Sequence, residues 1–225
     1  MKLLLTSAGI NNPSIHDALV DLLAKPIAES NALCIPTGGY GSSYGHRPTG
    51  VWRFISGTSN QPMVELGWKS MGVLELTALP SIDRERWVSW VQEADVLLAN
   101  GGDALYLAHW MRQSGLADVM PSLPDKVWAG FSAGSMALTP RIGTDFLGWL
   151  PPDGRDEALG VVDFSIFPHV DHPDLPENTM AAAAKWAAEI GGPAYAIDDA
   201  TAIKVVDGTV ELVSEGHWRR FDPAG

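Results

Sequence analysis

The sequence predicts an α/β fold, a mainly parallel sheet flanked by helices on both faces with an antiparallel edge at the C-terminal end. Three observations predict it. Short apolar runs alternate with stretches of helical spacing along most of the chain. Several of those runs end in glycine-bearing turns that open a helix. Towards the C-terminus the helical stretches give way to short strand-like runs, two of them joined by the hairpin dipeptide Asp207-Gly208.

Taken in order, Lys2 to Ser7 is a strand, and Ser14 to Ser30 has helical spacing with Ile15, Leu19, Leu22 and Leu23 on one face. Ala32 to Pro36 is a second strand. The polar, glycine-rich stretch Thr37 to Gly50 is longer than an ordinary loop of such folds. Trp52 to Ile55 belongs to a short helix, and Val73 to Leu79 reads as a strand. Asp83 is placed to cap a helix through Val91. Asp95 to Ala99 is a buried strand closed by Asn100-Gly101-Gly102-Asp103, and Ala104 to Gln113 is a helix ending near Gly115. Lys126 to Ala129 is the next strand. Asp145 to Gly160, rich in Pro, Gly and Asp, reads as irregular. Val161 to Phe167 is β-like, and Pro176 to Ile190 is an alanine-rich helix. Ala194 to Ile197, Thr201 to Val206, Val210 to Val213 and His217 to Phe221 are short strands, the last in a terminal hairpin.

A length of 225 residues with no linker or internal repeat predicts one domain, residues 1–225, and 46% hydrophobic residues supply a large core. No apolar run approaches the roughly 18 residues of a membrane span. Met1-Lys2-Leu3-Leu4-Leu5 is too short for a signal peptide and reads as the start of the first strand. Cys34 is the only cysteine, so no internal disulfide forms and a cysteine metal cluster is excluded. A cytoplasmic location is the expectation. A net charge of −12 argues against nucleic acid or an anionic membrane as partner. An unpaired edge strand in the C-terminal hairpin would permit a homodimer.

The chemistry centres on Gly130-Phe131-Ser132-Ala133-Gly134, which fits G-x-S-x-G. It follows a buried strand and precedes Ser135-Met136-Ala137-Leu138, which can open a helix. Strand, tight glycine-flanked turn and helix together describe a nucleophile elbow that lifts the Ser132 hydroxyl clear of the backbone. The same turn aims the Ala133 N–H at a developing oxyanion. A serine nucleophile needs a base. Of the six histidines, His169 and His172 sit at the end of an apolar strand-like run, where α/β sheets present functional groups. The base needs an acceptor on its other nitrogen, for which Asp198, Asp199 and Asp145 are candidates. Gly101-Gly102, ending the Asp95 to Ala99 strand, can bring a second oxyanion donor to the same sheet edge.

These residues give the chain a resemblance to the peptidase E family of serine peptidases, which includes aspartyl dipeptidases and, more distantly, cyanophycinases. The resemblance covers most of the chain. It rests on Gly101-Gly102-Asp103 with Leu107 in the next helix, on Gly130 to Gly134, on Ile166-Phe167-Pro168-His169, and on Ala196-Ile197-Asp198-Asp199-Ala200-Thr201-Ala202. It implies a class I glutamine amidotransferase-like fold, Ser132 as nucleophile, His169 as general base and Asp199 as third member. It also implies an oxyanion hole from the N–H groups of Gly102 and Ala133, a small peptide substrate, and no metal or other cofactor. Two positions depart from the family. Asp103 stands where Asn is common, as in the cyanophycinase-like branch. The arginine that aspartyl dipeptidases carry after the histidine, to pair with the acidic side chain of the substrate, is absent. Met180 stands near its place and Lys185 is the first cation after it. Arg47, Arg53 and Arg141 are the cations that other loops could bring instead.

Three other readings compete. Amidotransferase-like glutamine hydrolysis normally uses Cys at the elbow, where this chain has Ser132. A metal hydrolase would draw on His169, Asp171, His172 and Asp174. A non-catalytic small-ligand binding protein could keep the fold without turnover. Among the nine tryptophans, Trp87, Trp90 and Trp110 read as packing residues, whereas Trp52, Trp68 and Trp149 lie near loops that could line a pocket.

Overall fold

The computed structural model describes residues 1–42, 48–151 and 154–223. Its strands are β1 (Lys2–Thr6), β2 (Asn31–Ile35), β3 (Ser70–Val73), β4 (Val96–Ala99), β5 (Val127–Phe131), β6 (Ser165–Phe167), β7 (Ala194–Ile197), β8 (Thr201–Val206), β9 (Thr209–Ser214) and β10 (Trp218–Phe221). The helices are α1 (Pro13–Leu23), α2 (Gly38–Gly41), α3 (Pro48–Ile55), α4 (Arg84–Glu93), α5 (Ala104–Gln113), α6 (Leu116–Val119), α7 (Ala133–Met136) and α8 (Met180–Ile190).

The larger sheet has seven strands in the order β3-β2-β4-β5-β1-β8-β9. The first five run parallel, and β8 and β9 complete an antiparallel edge. This is the expected architecture. Alternate residues of each strand point to opposite faces, and the core divides accordingly. Leu3, Leu5, Leu97 and Ala99 join a cluster with residues of α4, α5, α6 and α7. Leu4, Val96 and Leu98 join another with α1 and α3. Near-continuous apolar strands are what a sheet covered on both faces requires.

The single sheet read from the sequence is, however, two. Strands β6, β7 and β10 form a separate three-stranded sheet, with β10 antiparallel to β7. The run from 217 to 221 therefore pairs with β7, not with β9. Helix α8 covers this smaller sheet through Ala183, Trp186, Ala187 and Ile190.

Other differences have local causes. The helix expected over 14–30 stops at Leu23, where Ala24 turns left-handed at φ 56° and Pro26 follows. The helix expected from 176 begins at Met180, capped by Thr179, whose hydroxyl accepts from the Ala182 N–H at 3.1 Å. The run 73–79 ends rather than begins a strand; Leu74, Leu76 and Leu79 are buried as connecting chain. In the run 161–167 only Ser165–Phe167 is strand, and Val162 and Phe164 serve the core. The long polar stretch 37–50 holds α2 and the start of α3, with 43–47 outside the described residues. Asp83 caps α4, accepting from the N–H groups of Glu85 and Arg86. Among the described residues, no helix is long and apolar enough to cross a membrane.

Candidate active site

The loops that bear Gly101 to Asp103, Ser132, His169, Asp198 and Asp199 leave the carboxyl ends of strands, where α/β sheets place their ligands, whereas Asp145 lies in the segment after α7. The turn after β5 carries Ser132, whose backbone is held at φ 49°, ψ −115°. A non-glycine residue at positive φ is strained and persists only when its surroundings fix it. Here the two glycines supply the fit. A Cβ on Gly130 would sit 2.4 Å from the Gly134 carbonyl oxygen, and one on Gly134 would sit 2.4 Å from that of Ala99. The N–H of Ser132 donates to the Thr6 carbonyl at 3.0 Å, tying the turn to β1.

The loops after β6 and β7 bring His169 and Asp199 together. His169 Nδ1 lies 2.7 Å from Asp199 Oδ1. Asp199 also accepts from the Ser7 hydroxyl at 2.8 Å, and its second oxygen is 3.4 Å from His172 Nε2. The His172 Nδ1 accepts from the Asp174 N–H at 3.0 Å, so its Nε2 carries the proton facing Asp199. By the same reasoning His169 donates from Nδ1 and keeps Nε2 as an acceptor. Burial works to raise the Asp199 carboxyl. The His169 hydrogen bond and charge, the Ser7 hydrogen bond and the His172 charge outweigh it, holding the group below its ordinary value.

Ser132 and His169 line one cavity of about 440 Å³, together with Gly102 and Ala133. No hydrogen bond joins Ser132 to His169 among the described residues; such contacts are often long in a resting site and tighten with substrate. Among the described residues, the N–H groups of Gly102 and Ala133 have no acceptor. Gly102 stands at φ 123°, and a Cβ there would lie 2.3 Å from the Gly38 carbonyl oxygen. Only glycine lets this loop press so closely on α2.

The sequence pattern of Peptidase family S51 matches residues 3–213 of the chain. The chain belongs to peptidase family S51. It is a serine-type peptidase. No curated protein sequence matches it. Its fold recurs among solved structures. A Listeria monocytogenes EGD-e protein that bears the peptidase E name superposes with a TM-score of 0.69 at 18% identity, covering 96% of this chain and 98% of its own. A peptidase from an acI-B1 Actinobacterium gives 0.70 at 21%, covering 100% and 95% respectively. Membership of a peptidase family favours turnover over the ligand-binding alternative.

In this peptidase the remaining expected residues lie as follows. Asp198 faces away from His169. Its carboxylate accepts from the hydroxyl of Thr201 at 2.6 Å, the N–H of Ala200 at 3.1 Å and the N–H of His217 at 2.8 Å, a turn-capping role. Asp145 lines the cavity but makes no hydrogen bond or ion pair with His169 among the described residues. Asp103 caps α5 through the Tyr106 N–H at 2.8 Å and accepts from the Trp149 N–H at 2.5 Å. Burial lifts its carboxyl above the ordinary value, against the backbone donors of Trp149, Tyr106, Leu105 and Gly148. Gly101 packs against the Phe131 ring.

Met180 opens α8 and Lys185 is exposed on it; neither lines the cavity. Arg53 is exposed on α3, and Arg141 pairs with Asp156 at 3.1 Å. Arg47 and His46 lie outside the described residues. His169, Asp171 and His172 do not converge, because Asp171 turns to His217 at 2.9 Å while both other side chains face Asp199. Among the described residues, no group of three or more His, Cys, Asp or Glu could hold a metal ion. Trp52, Trp68 and Trp149 do not line this cavity; Trp149 lines a separate pocket beside α5, with its ring edge-on to Tyr106 and tilted against His109. Trp87 is buried, and Trp90 and Trp110 pack at the core edge as expected. Cys34 is buried in the core, and burial raises its thiol to about 11.

Sequence reasoning missed Ser7 and Asn11. Asn11 donates to the Asp199 carbonyl at 2.6 Å. One available signal was the place of Ser7, at the carboxyl end of the first parallel strand.

Proposed function

We propose that this peptidase hydrolyses dipeptides or short peptides through an acyl-enzyme formed on Ser132. The observation that carries the reading is the 2.7 Å pairing of His169 with Asp199 on the wall of the cavity that Ser132 lines. With Nδ1–H committed to Asp199, the His169 Nε2 takes the Ser132 proton as Oγ bonds to the scissile carbonyl carbon. The carbonyl oxygen becomes an oxyanion, stabilised by the N–H groups of Gly102 and Ala133; losing one such donor commonly costs about 10²–10³ in rate. Collapse of the intermediate breaks the C–N bond, and His169 protonates the departing amine. Water then gives a proton to His169, attacks the acyl carbon, and Ser132 leaves with its proton restored.

Cavity size and charge support the substrate class. About 440 Å³ suits a short peptide. The charged lining consists of Asp103, Asp145, Asp174 and Glu177, with no Lys or Arg among the described residues. Such a wall favours the α-ammonium group of a free N-terminus and disfavours an N-terminal aspartate side chain. A panel of dipeptides varied at the N-terminal residue tests both parts. We expect neutral and basic N-terminal residues to be cleaved faster than Asp, and Ser132→Ala to lose more than roughly 10³-fold in kcat. Undiminished hydrolysis by Ser132→Ala would refute the serine mechanism. Cleavage confined to Asp-X would overturn the specificity.

A further inference from the structure

We infer that Ser7 is a positioning residue for the hydrolysis, clamping the His169 main chain to the Asp199 carboxylate and fixing both against the strand that supports the Ser132 turn. The inference rests on the serine-peptidase reading above.

Ser7 is fully buried directly after β1. Its Oγ accepts from the His169 N–H at 2.7 Å and donates to Asp199 Oδ1 at 2.8 Å. Asp199 Oδ1 is also the partner of His169 Nδ1 at 2.7 Å, so hydroxyl, carboxylate and histidine close a ring. Ser7 Oγ lies 3.3 Å from His169 Nδ1, but its single proton goes to the carboxylate. His169 is held at φ 56°, a conformation that needs external support in a non-glycine residue. The Ser7 hydroxyl supplies part of it, and the Val170 N–H supplies more by donating to the Ile197 carbonyl at 3.2 Å.

The neighbouring residue holds the other half of the site. The Thr6 carbonyl accepts from the Ser132 N–H at 3.0 Å and from the Ser135 hydroxyl at 2.8 Å. Ser132 follows a strand of the larger sheet, whereas His169 and Asp199 follow strands of the smaller one. Residues 6 and 7 therefore span the junction and set the separation of nucleophile and base. Asn11 holds only the Asp199 main chain, and His172 only its other oxygen.

The rate should respond in a way that mere structural damage would not produce. Titratable groups around His169 are Asp199, His172 with its ring 6.1 Å away, and the cavity carboxylates Asp103, Asp145, Asp174 and Glu177. Of these, Ser7 donates only to Asp199. Removing the hydroxyl withdraws one of the donors that hold that carboxyl below its ordinary value, so Asp199 takes up its proton at higher pH and the acidic limb follows.

The test compares parent, Ser7→Ala and Ser7→Thr by the rate at which a fluorophosphonate labels Ser132 across pH, and by kcat and KM on a dipeptide the parent cleaves. Thermal unfolding checks each fold. For Ser7→Ala we expect kcat and labelling to fall about 10- to 100-fold with KM within about threefold, and the acidic limb to move to higher pH. Ser7→Thr keeps the hydroxyl and should recover to within about threefold of the parent. Ser7→Cys, nearly isosteric but a weak donor, replaces Ser7→Ala if that variant does not fold, with the same limb shift expected. Parent-like kcat and an unmoved limb in the alanine or cysteine variant would overturn the inference while leaving the serine mechanism intact. A parent enzyme that is not labelled on Ser132 would sink the serine mechanism and this role together.

Discussion

Two adjacent aspartates at the end of β7 have different tasks. Asp198 is buried among turn donors, whereas Asp199 faces His169, His172 and Ser7. The sequence motif leaves that choice open, because it is the turn geometry that sends one side chain inward and its neighbour to the histidines. Ser132 and His169 were legible because their signals are local: a glycine-flanked turn and a strand end. Ser7 was not, because its partners lie 162 and 192 positions away. The depressed Asp199 carboxyl has a consequence for stability. A carboxylate whose folded pKa lies below its unfolded one contributes stability that is present above the unfolded value and lost as pH falls through the folded one. We therefore expect the parent to resist urea better than Asp199→Asn at pH 7, with the gap closing as pH falls below about 4. A gap that persists or widens in acid would contradict the assignment.

At the level of the element, the strand–turn–helix around Ser132 depends on two positions that admit no side chain. Gly134→Ala would bring its Cβ to 2.4 Å from the Ala99 carbonyl oxygen, a backbone atom that cannot rotate away. We expect a loss of about 1–3 kcal/mol in thermal or urea unfolding. Gly192→Ala, with nothing within 4 Å of the added carbon, should stay close to the parent. Equal effects at both sites would argue that the turn tolerates displacement. Elements with their own end signals were readable: the α5 bounds match the expectation at both ends, and the Asp83 cap forms as read. Runs at 73–79 and 161–167 were misread for one reason. Apolar residues such as Leu76 and Phe164 are buried by core contact without a strand partner, and pairing is a non-local property.

Across the whole molecule, the parallel sheet followed from alternation, but its division into two did not. Strand β6 has three residues and β7 four, too short to declare which sheet they join. The acidic surface is legible from composition alone. A net charge of −12 repels itself in the compact state, and added salt screens that repulsion more than it weakens the few exposed pairs such as Lys204 with Asp21. Raising NaCl from about 10 to about 200 mM should lift the Tm, measured by circular dichroism. A fall would mean that the ion pairs outweigh the net charge.

The contact of Ser7 with Asp199 across two sheets also bears on the life of the chain before it is complete. A nascent polypeptide that has emerged only as far as the serine turn holds a reactive residue type but none of the geometry that would arm it. On the roles proposed here, the hydroxyl acquires its base only when the first strand meets a loop made much later, so hydrolytic power waits on that late contact.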